Sequence, residues 1–144
     1  MGATLNIESY TMPAGEYWVG DPCYAIPEDK WIAWLKDAGY DAEPFPRYLV
    51  ADVDGNTCIG VGTSYGDGLY RGSDGNEYPV DAGLIGAVPT VIENEPFGMQ
   101  RVTFEHPFEV SYTEERGVIR VGHISIPTDD DVDEDDWREE EEDE

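Results

Sequence analysis

Positive charge is scarce in this chain. Two lysines and six arginines stand against 33 aspartates and glutamates, for a formal net charge of −25. That balance argues against direct contact with nucleic acid, because phosphate is held by Lys and Arg side chains that release counterions. Cysteine is scarce too: Cys23 and Cys58 are the only two. The chain therefore has no disulfide framework, and it offers zinc neither a C-x-x-C nor an H-x-x-x-H spacing. No window approaches the ~20 apolar residues of a membrane span. The start of the chain lacks the basic and apolar regions of a signal peptide. The expectation is a cytoplasmic protein with reduced thiols, no membrane partner and no cofactor. A phosphate loop is also missing. Gly60-Val61-Gly62 and Gly66-Asp67-Gly68 are rich in glycine, but no Lys follows and no helix begins there.

What is present is enough for a core. The 144 residues are 40% apolar and 12% aromatic, with 9 Tyr and 16 Gly. A chain of that length buries roughly two-thirds of its unfolded surface and needs no staple. Short strands are expected at 3–10 and 16–20, around the Pro13 turn, and at 47–53, 57–63, 68–72, 77–80 and 83–90. Asp54-Gly55-Asn56 and Asp74-Gly75-Asn76 are hairpin turns by their residue types. Asp52-Val53-Asp54-Gly55-Asn56 resembles the start of a calcium loop, but its glycine comes too early and Thr63 stands where a bidentate Glu belongs.

Residues 102–112 alternate strictly: Val102, Phe104, His106, Phe108, Val110 and Tyr112 fall on one face, which predicts one half-buried strand, at a sheet edge or bulged at Pro107. A last strand is expected over 118–126. One helix is predicted near 27–38. Pro27 opens it, Glu28 and Asp29 face its positive end, and Gly39 closes it. Trp31, Trp34, Leu35 and Ala38 make one apolar stripe, so the helix should pack on a sheet. The sum is a mostly-β fold, a small β-sandwich or partly open barrel of seven or eight strands, with one amphipathic helix packed on it.

The globular domain is expected over 1–127 and an acidic tail over 128–144. Residues 129–144 hold 13 acids and one Arg, a net −12, which leaves −13 on the body. Such density of like charge predicts disorder in the free protein. Fully extended, the run spans about 53 Å. Were it helical, its net charge would be spaced at roughly one per 2 Å, close to the one per about 1.7 Å of duplex DNA.

Gly20-Asp21-Pro22-Cys23-Tyr24, Tyr65-Gly66-Asp67-Gly68-Leu69-Tyr70 and Val80-Asp81-Ala82-Gly83-Leu84-Ile85-Gly86 together give a resemblance. Over residues 5–126 the chain resembles small acidic proteins encoded by bacteriophages, notably those of actinobacteria. The resemblance implies a viral accessory protein and carries over no functional residue.

Three chemistries compete. Cys23 with His106 or His123 as base, and Asp21 or Asp81 to orient it, has the residue types of a nucleophilic site. The sequence explains Cys23 better as a structural thiol and His106 as a core histidine, so no catalytic residue is assigned and no enzyme is expected. A small-ligand or divalent-metal module would sit at Asp21, Cys23, Asp67 and Asp81, with Asp74 a further rim candidate and Tyr65, Tyr70 and Tyr78 lining a pocket. The leading expectation is a non-enzymatic binder. It would inhibit a basic or nucleic-acid-binding host protein through acidic surface, by mimicry of nucleic acid, with Asp133, Glu134, Asp135, Asp136, Trp137, Glu139 and Glu140 as the contact. A virion structural component, or plain adaptation to high salt, would also carry this charge.

Overall fold

The computed structural model describes residues 9–41, 46–92 and 96–129. The described part is mostly β, with eleven strands and one helix. In chain order the strands are β1 (Ser9–Met12), β2 (Gly15–Gly20), β3 (Tyr48–Val53), β4 (Asn56–Gly62), β5 (Gly68–Arg71), β6 (Glu77–Val80), β7 (Leu84–Pro89), β8 (Gln100–Phe104), β9 (Phe108–Thr113), β10 (Val118–Val121) and β11 (Ile124–Pro127). The helix α1 covers Glu28–Asp37, and short 3-10 turns cover Pro22–Tyr24 and Glu115–Gly117.

Two sheets and a hairpin share the core. One sheet has the order β1-β9-β10-β11 and the other β3-β4-β7-β2-β8, with β5 and β6 paired beside them. Every pairing is antiparallel. Alternation along the five-stranded sheet sends its side chains into two different cores. Tyr17, Val19, Ile59, Val61, Ile85 and Ala87 face the four-stranded sheet, where they meet Val110, Ile119, Val121, Ile124 and Ile126. Trp18, Leu49, Val53, Cys58, Leu84 and Val88 face the other way, onto Ala25, Ile26 and Trp34. The layers are thus helix, sheet, sheet. A sheet covered on both faces needs near-continuous apolar runs, and β7 has one: Leu84 to Val88 are all buried.

The helix packs as its stripe requires. Trp34 is 1% exposed and its indole Nε1 donates to the Ala51 carbonyl at 3.1 Å. Trp31 stacks on it with centroids 5.4 Å apart. The Asp54-Gly55 turn has both residues at positive φ, 52° and 81°, as a two-residue hairpin between β3 and β4 demands. Lys30 of α1 pairs with Asp54 at that turn. No ion is needed to explain the resemblance to a calcium loop.

Several expectations need correction. The predicted strand at 102–112 is two strands in different sheets, β8 and β9, because Glu105, His106 and Pro107 bend the chain from one sheet to the other. The apolar phase survives the bend: Val102, Phe104, Phe108, Val110 and Tyr112 all pack on the same core. His106 does not, since the bend turns it out and it is exposed. The strand at 118–126 is likewise a hairpin, β10 and β11, with Val121 opposite Ile124. Gly122 makes the turn at φ 60°, where an added Cβ would lie 2.4 Å from Phe104 Cε1. The strand count therefore rises to eleven. Residues 3–8 of the first predicted strand lie outside the described residues.

The body also reaches past residue 127. Thr128 is fully buried. Its hydroxyl donates to the Gly117 carbonyl at 2.5 Å and accepts from Ser64 N–H at 2.9 Å. Its own carbonyl accepts from Tyr65 N–H at 2.8 Å, and Asp129 pairs with Arg116 at 3.6 Å. The acidic run therefore leaves from a fixed root between loop 63–67 and the turn at Glu115–Gly117.

Candidate functional site

Two of the three glycine-rich motifs meet at one place. Asp21 follows β2, and its extended backbone (φ −77°, ψ 119°) leads into the 3-10 turn with Pro22 at its first position. The carboxylate caps that turn: Oδ1 accepts from Cys23 N–H at 3.0 Å. Oδ2 accepts from Asp81 N–H at 2.8 Å and Ala82 N–H at 2.7 Å. Asp21 is completely buried. Burial raises its pKa, against the lowering by the Cys23, Ala82 and Asp81 bonds, and the net direction is upward. A carboxylate engaged in this way ties β2 to the β6–β7 loop and has no solvent-facing oxygen for a cation.

The neighbouring groups follow from it. Burial, then the Asp21 and Asp81 charges, push the Cys23 thiol up to about 12. It stays protonated at neutral pH, the opposite of an activated nucleophile. Burial, with Asp81 next, raises the Tyr24 hydroxyl as well; that hydroxyl donates to Asp81 Oδ2 at 2.8 Å. Cys58 is a second free thiol, buried under α1 and also pushed up to about 12, mainly by burial. His123 lies beside Phe104, with ring centroids 5.8 Å apart, and is exposed.

The motif glycines explain the junction. Gly20, Gly86 and Gly60 stand opposite one another across β2, β7 and β4. They form a row without side chains on the helix-facing side of the sheet. A Cβ on Gly60 would meet Pro22, Leu84 and Trp34 at 3.2 to 3.4 Å, and one on Gly86 would lie 1.8 Å from the Ile59 carbonyl oxygen. The notch seats the Pro22 turn and the end of the Trp34 ring. Gly60 and Gly62 thus belong to a strand.

The remaining candidates separate. Asp67 is exposed, on the loop before β5, with one oxygen 3.8 Å from where a Gly83 Cβ would stand. Asp74 belongs to the β5–β6 turn, where it accepts from the Tyr78 hydroxyl at 2.5 Å and from Asn76. Burial works to raise the Asp74 pKa, but the Tyr78 and Asn76 bonds outweigh it and hold the carboxyl below its ordinary value. Tyr70 and Tyr78 are core residues with no exposure, and Tyr65 is half exposed. Among the described residues no three His, Cys, Asp or Glu side chains are grouped to hold a metal ion. A cleft of about 550 Å³ does adjoin the junction, lined by Tyr40, Arg47, Thr63, Ala82, Gly83 and Leu84. Arg47 lies 3.8 Å over the Tyr112 ring and donates to the Gly62 carbonyl at 2.8 Å. Asp133, Glu134, Asp135, Asp136, Trp137, Glu139 and Glu140 lie outside the described residues.

No family model, curated protein or solved structure matches this chain. No helix among the described residues is long and apolar enough to cross a membrane.

What the sequence missed is the use of Phe97. It is 73% exposed, yet its ring meets Tyr24 edge-on, with centroids 5.3 Å apart and planes at 86°. Gly98 places it: at φ 72°, a Cβ there would lie 2.6 Å from Pro79 and 3.4 Å from Tyr24. The Phe-Gly pair in a loop was the only signal.

Proposed function

We propose that this chain is a non-enzymatic accessory protein, of phage origin, that binds and inhibits a basic, nucleic-acid-handling host protein through acidic surface. The observation that carries this reading is where the few cations sit. Lys30, Arg71, Arg101 and Arg116 each lie within ion-pair distance of Asp54, Glu77, Glu16 and Asp129. Exposed ion pairs add little to stability. Their effect on recognition is larger, because they remove most of the basic surface a nucleic acid would need. Glu28, Asp67, Glu109, Glu114 and Glu115 remain exposed without an ion-pair partner among the described residues. A basic partner gains from such a field in both encounter rate and specificity. The Cys23 thiol, held protonated, supports the non-enzymatic side of the reading.

The test is a pull-down from actinobacterial lysate with full-length protein, compared with a chain in which Asp133, Glu134, Asp135, Asp136, Glu139 and Glu140 are changed to Asn and Gln. The expected result is capture of a basic protein that duplex DNA displaces. The neutralised chain should bind it about tenfold more weakly, with a shallower salt dependence. Capture indifferent to salt, DNA and neutralisation overturns the reading.

A further inference from the structure

The junction of Tyr24, Asp81 and Phe97 presents an aromatic surface that ends in a carboxylate. Asp81 is exposed, and among the described residues no cation pairs with it. Its Oδ2 holds the Tyr24 hydroxyl, which fixes the Tyr24 ring. The same ring meets Phe97 edge-on, and the adjoining Gly98 lies close against Pro79 and Tyr24. The surface thus runs from an exposed apolar ring, along a tyrosine, to an exposed carboxylate. An arginine side chain has the same order of properties. Its apolar stem covers a ring, its planar cation stacks on aromatic faces, and its fork of N–H donors fits a carboxylate.

We infer that Phe97, Tyr24 and Asp81 form a receptor for one arginine side chain of the protein partner. This rests on the reading that the partner is basic, and it deepens that reading by naming a contact on the folded body, separate from the acidic run. Two further observations favour a cation here over an anion. The buried Asp21 carboxylate lies directly behind Asp81, accepting from its backbone N–H at 2.8 Å. Burial is the main cause of the raised Cys23 and Tyr24 pKa values, and the Asp21 and Asp81 charges add to it in the direction expected of a negative local potential. An exposed aromatic beside such a potential is an arrangement that attracts cations to ring faces.

The experiment is fluorescence anisotropy of a labelled peptide of alternating Gly and Arg, titrated with the full-length protein at low and moderate salt. Phe97→Ala and Asp81→Asn should each weaken binding about three- to thirtyfold, the range for loss of a cation–π contact or a charge-assisted hydrogen bond. Phe97→Tyr keeps a ring and should stay within about twofold. Thermal melts of each variant exclude unfolding as the cause, and Phe97 is exposed enough for the fold to tolerate its loss. Wild-type affinity in Phe97→Ala overturns the receptor and leaves the acidic-surface reading standing. If the wild-type chain fails to bind the peptide even at low salt, both fall.

Discussion

Asp21 shows how one side chain can do the work of a length of backbone. The Pro22 turn cannot continue the β2 ladder, and the loop at Asp81 and Ala82 has two N–H groups pointing inward. One buried carboxylate satisfies both of these and the N–H of Cys23. Unmet buried donors cost more than ordinary hydrogen bonds contribute. Asp21→Ala strands all three, and it should destabilise the protein by about 3 kcal/mol or more in urea unfolding at neutral pH. A loss under about 1 kcal/mol would mean that water replaces the carboxylate and that the junction is looser than its geometry implies. The sequence made Asp21 a ligand candidate with Cys23, Asp67 and Asp81; the structure brings Asp21, Cys23 and Asp81 together and leaves Asp67 apart on the loop before β5. The residue types were legible and so was their proximity. Their role was not, because a sequence does not reveal whether a carboxylate's lone pairs face solvent or backbone.

At the scale of the element, the row of Gly20, Gly86 and Gly60 lets a turn and a tryptophan press onto a sheet. Glycine weakens an isolated strand, and here it marks the close approach of another part of the chain. Gly86→Ala would drive a Cβ to 1.8 Å from a backbone oxygen that cannot move without breaking the β4–β7 ladder. The expected outcome is a chain that no longer folds cooperatively, seen as loss of the near-ultraviolet tryptophan signal. A natively folded Gly86→Ala variant would show that β4 and β7 can separate and would undo this account of the motif. Most elements were readable because their punctuation was strong: Pro27 and Gly39 around α1, Asp-Gly in two hairpins, and Gly20-Asp21-Pro22 after β2. The bends at 105–107 and 122–123 were not. The first preserves the two-residue phase of the apolar positions, from Val102 and Phe104 to Phe108 and Val110, whereas the second shifts it by one residue, from Ile119 and Val121 to Ile124 and Ile126, although the strands on either side of each line the same core. Periodicity is blind to a bend that keeps phase, so Pro107 alone marked the first break, whereas the second was marked by Gly122 and by the slip in phase itself.

At the scale of the molecule, charge is the dominant quantity. The −25 is divided nearly evenly, −12 on residues 129–144 and −13 on the rest. The acidic run is rooted at Thr128, which is locked to Ser64, Tyr65 and Gly117, so its origin is fixed beside Glu114 and Glu115. Like charge in this amount pushes the folded state apart, and mobile ions relieve it. Two causes of an acidic sequence then give different salt responses. If charge serves recognition, the two packed cores hold the fold by themselves, and salt needs only to screen. Stability should then rise between about 10 and 150 mM salt, where the Debye length falls from about 30 to 8 Å, and level off beyond. The shift in Tm should be on the order of 5 °C. If the charge is adaptation to brine, the chain would stay unfolded or marginal until molar salt is reached. Thermal unfolding across that range separates the two. A plateau reached near physiological salt leaves the acidic surface free for a basic partner, whereas a molar requirement would remove the main support for the proposed function.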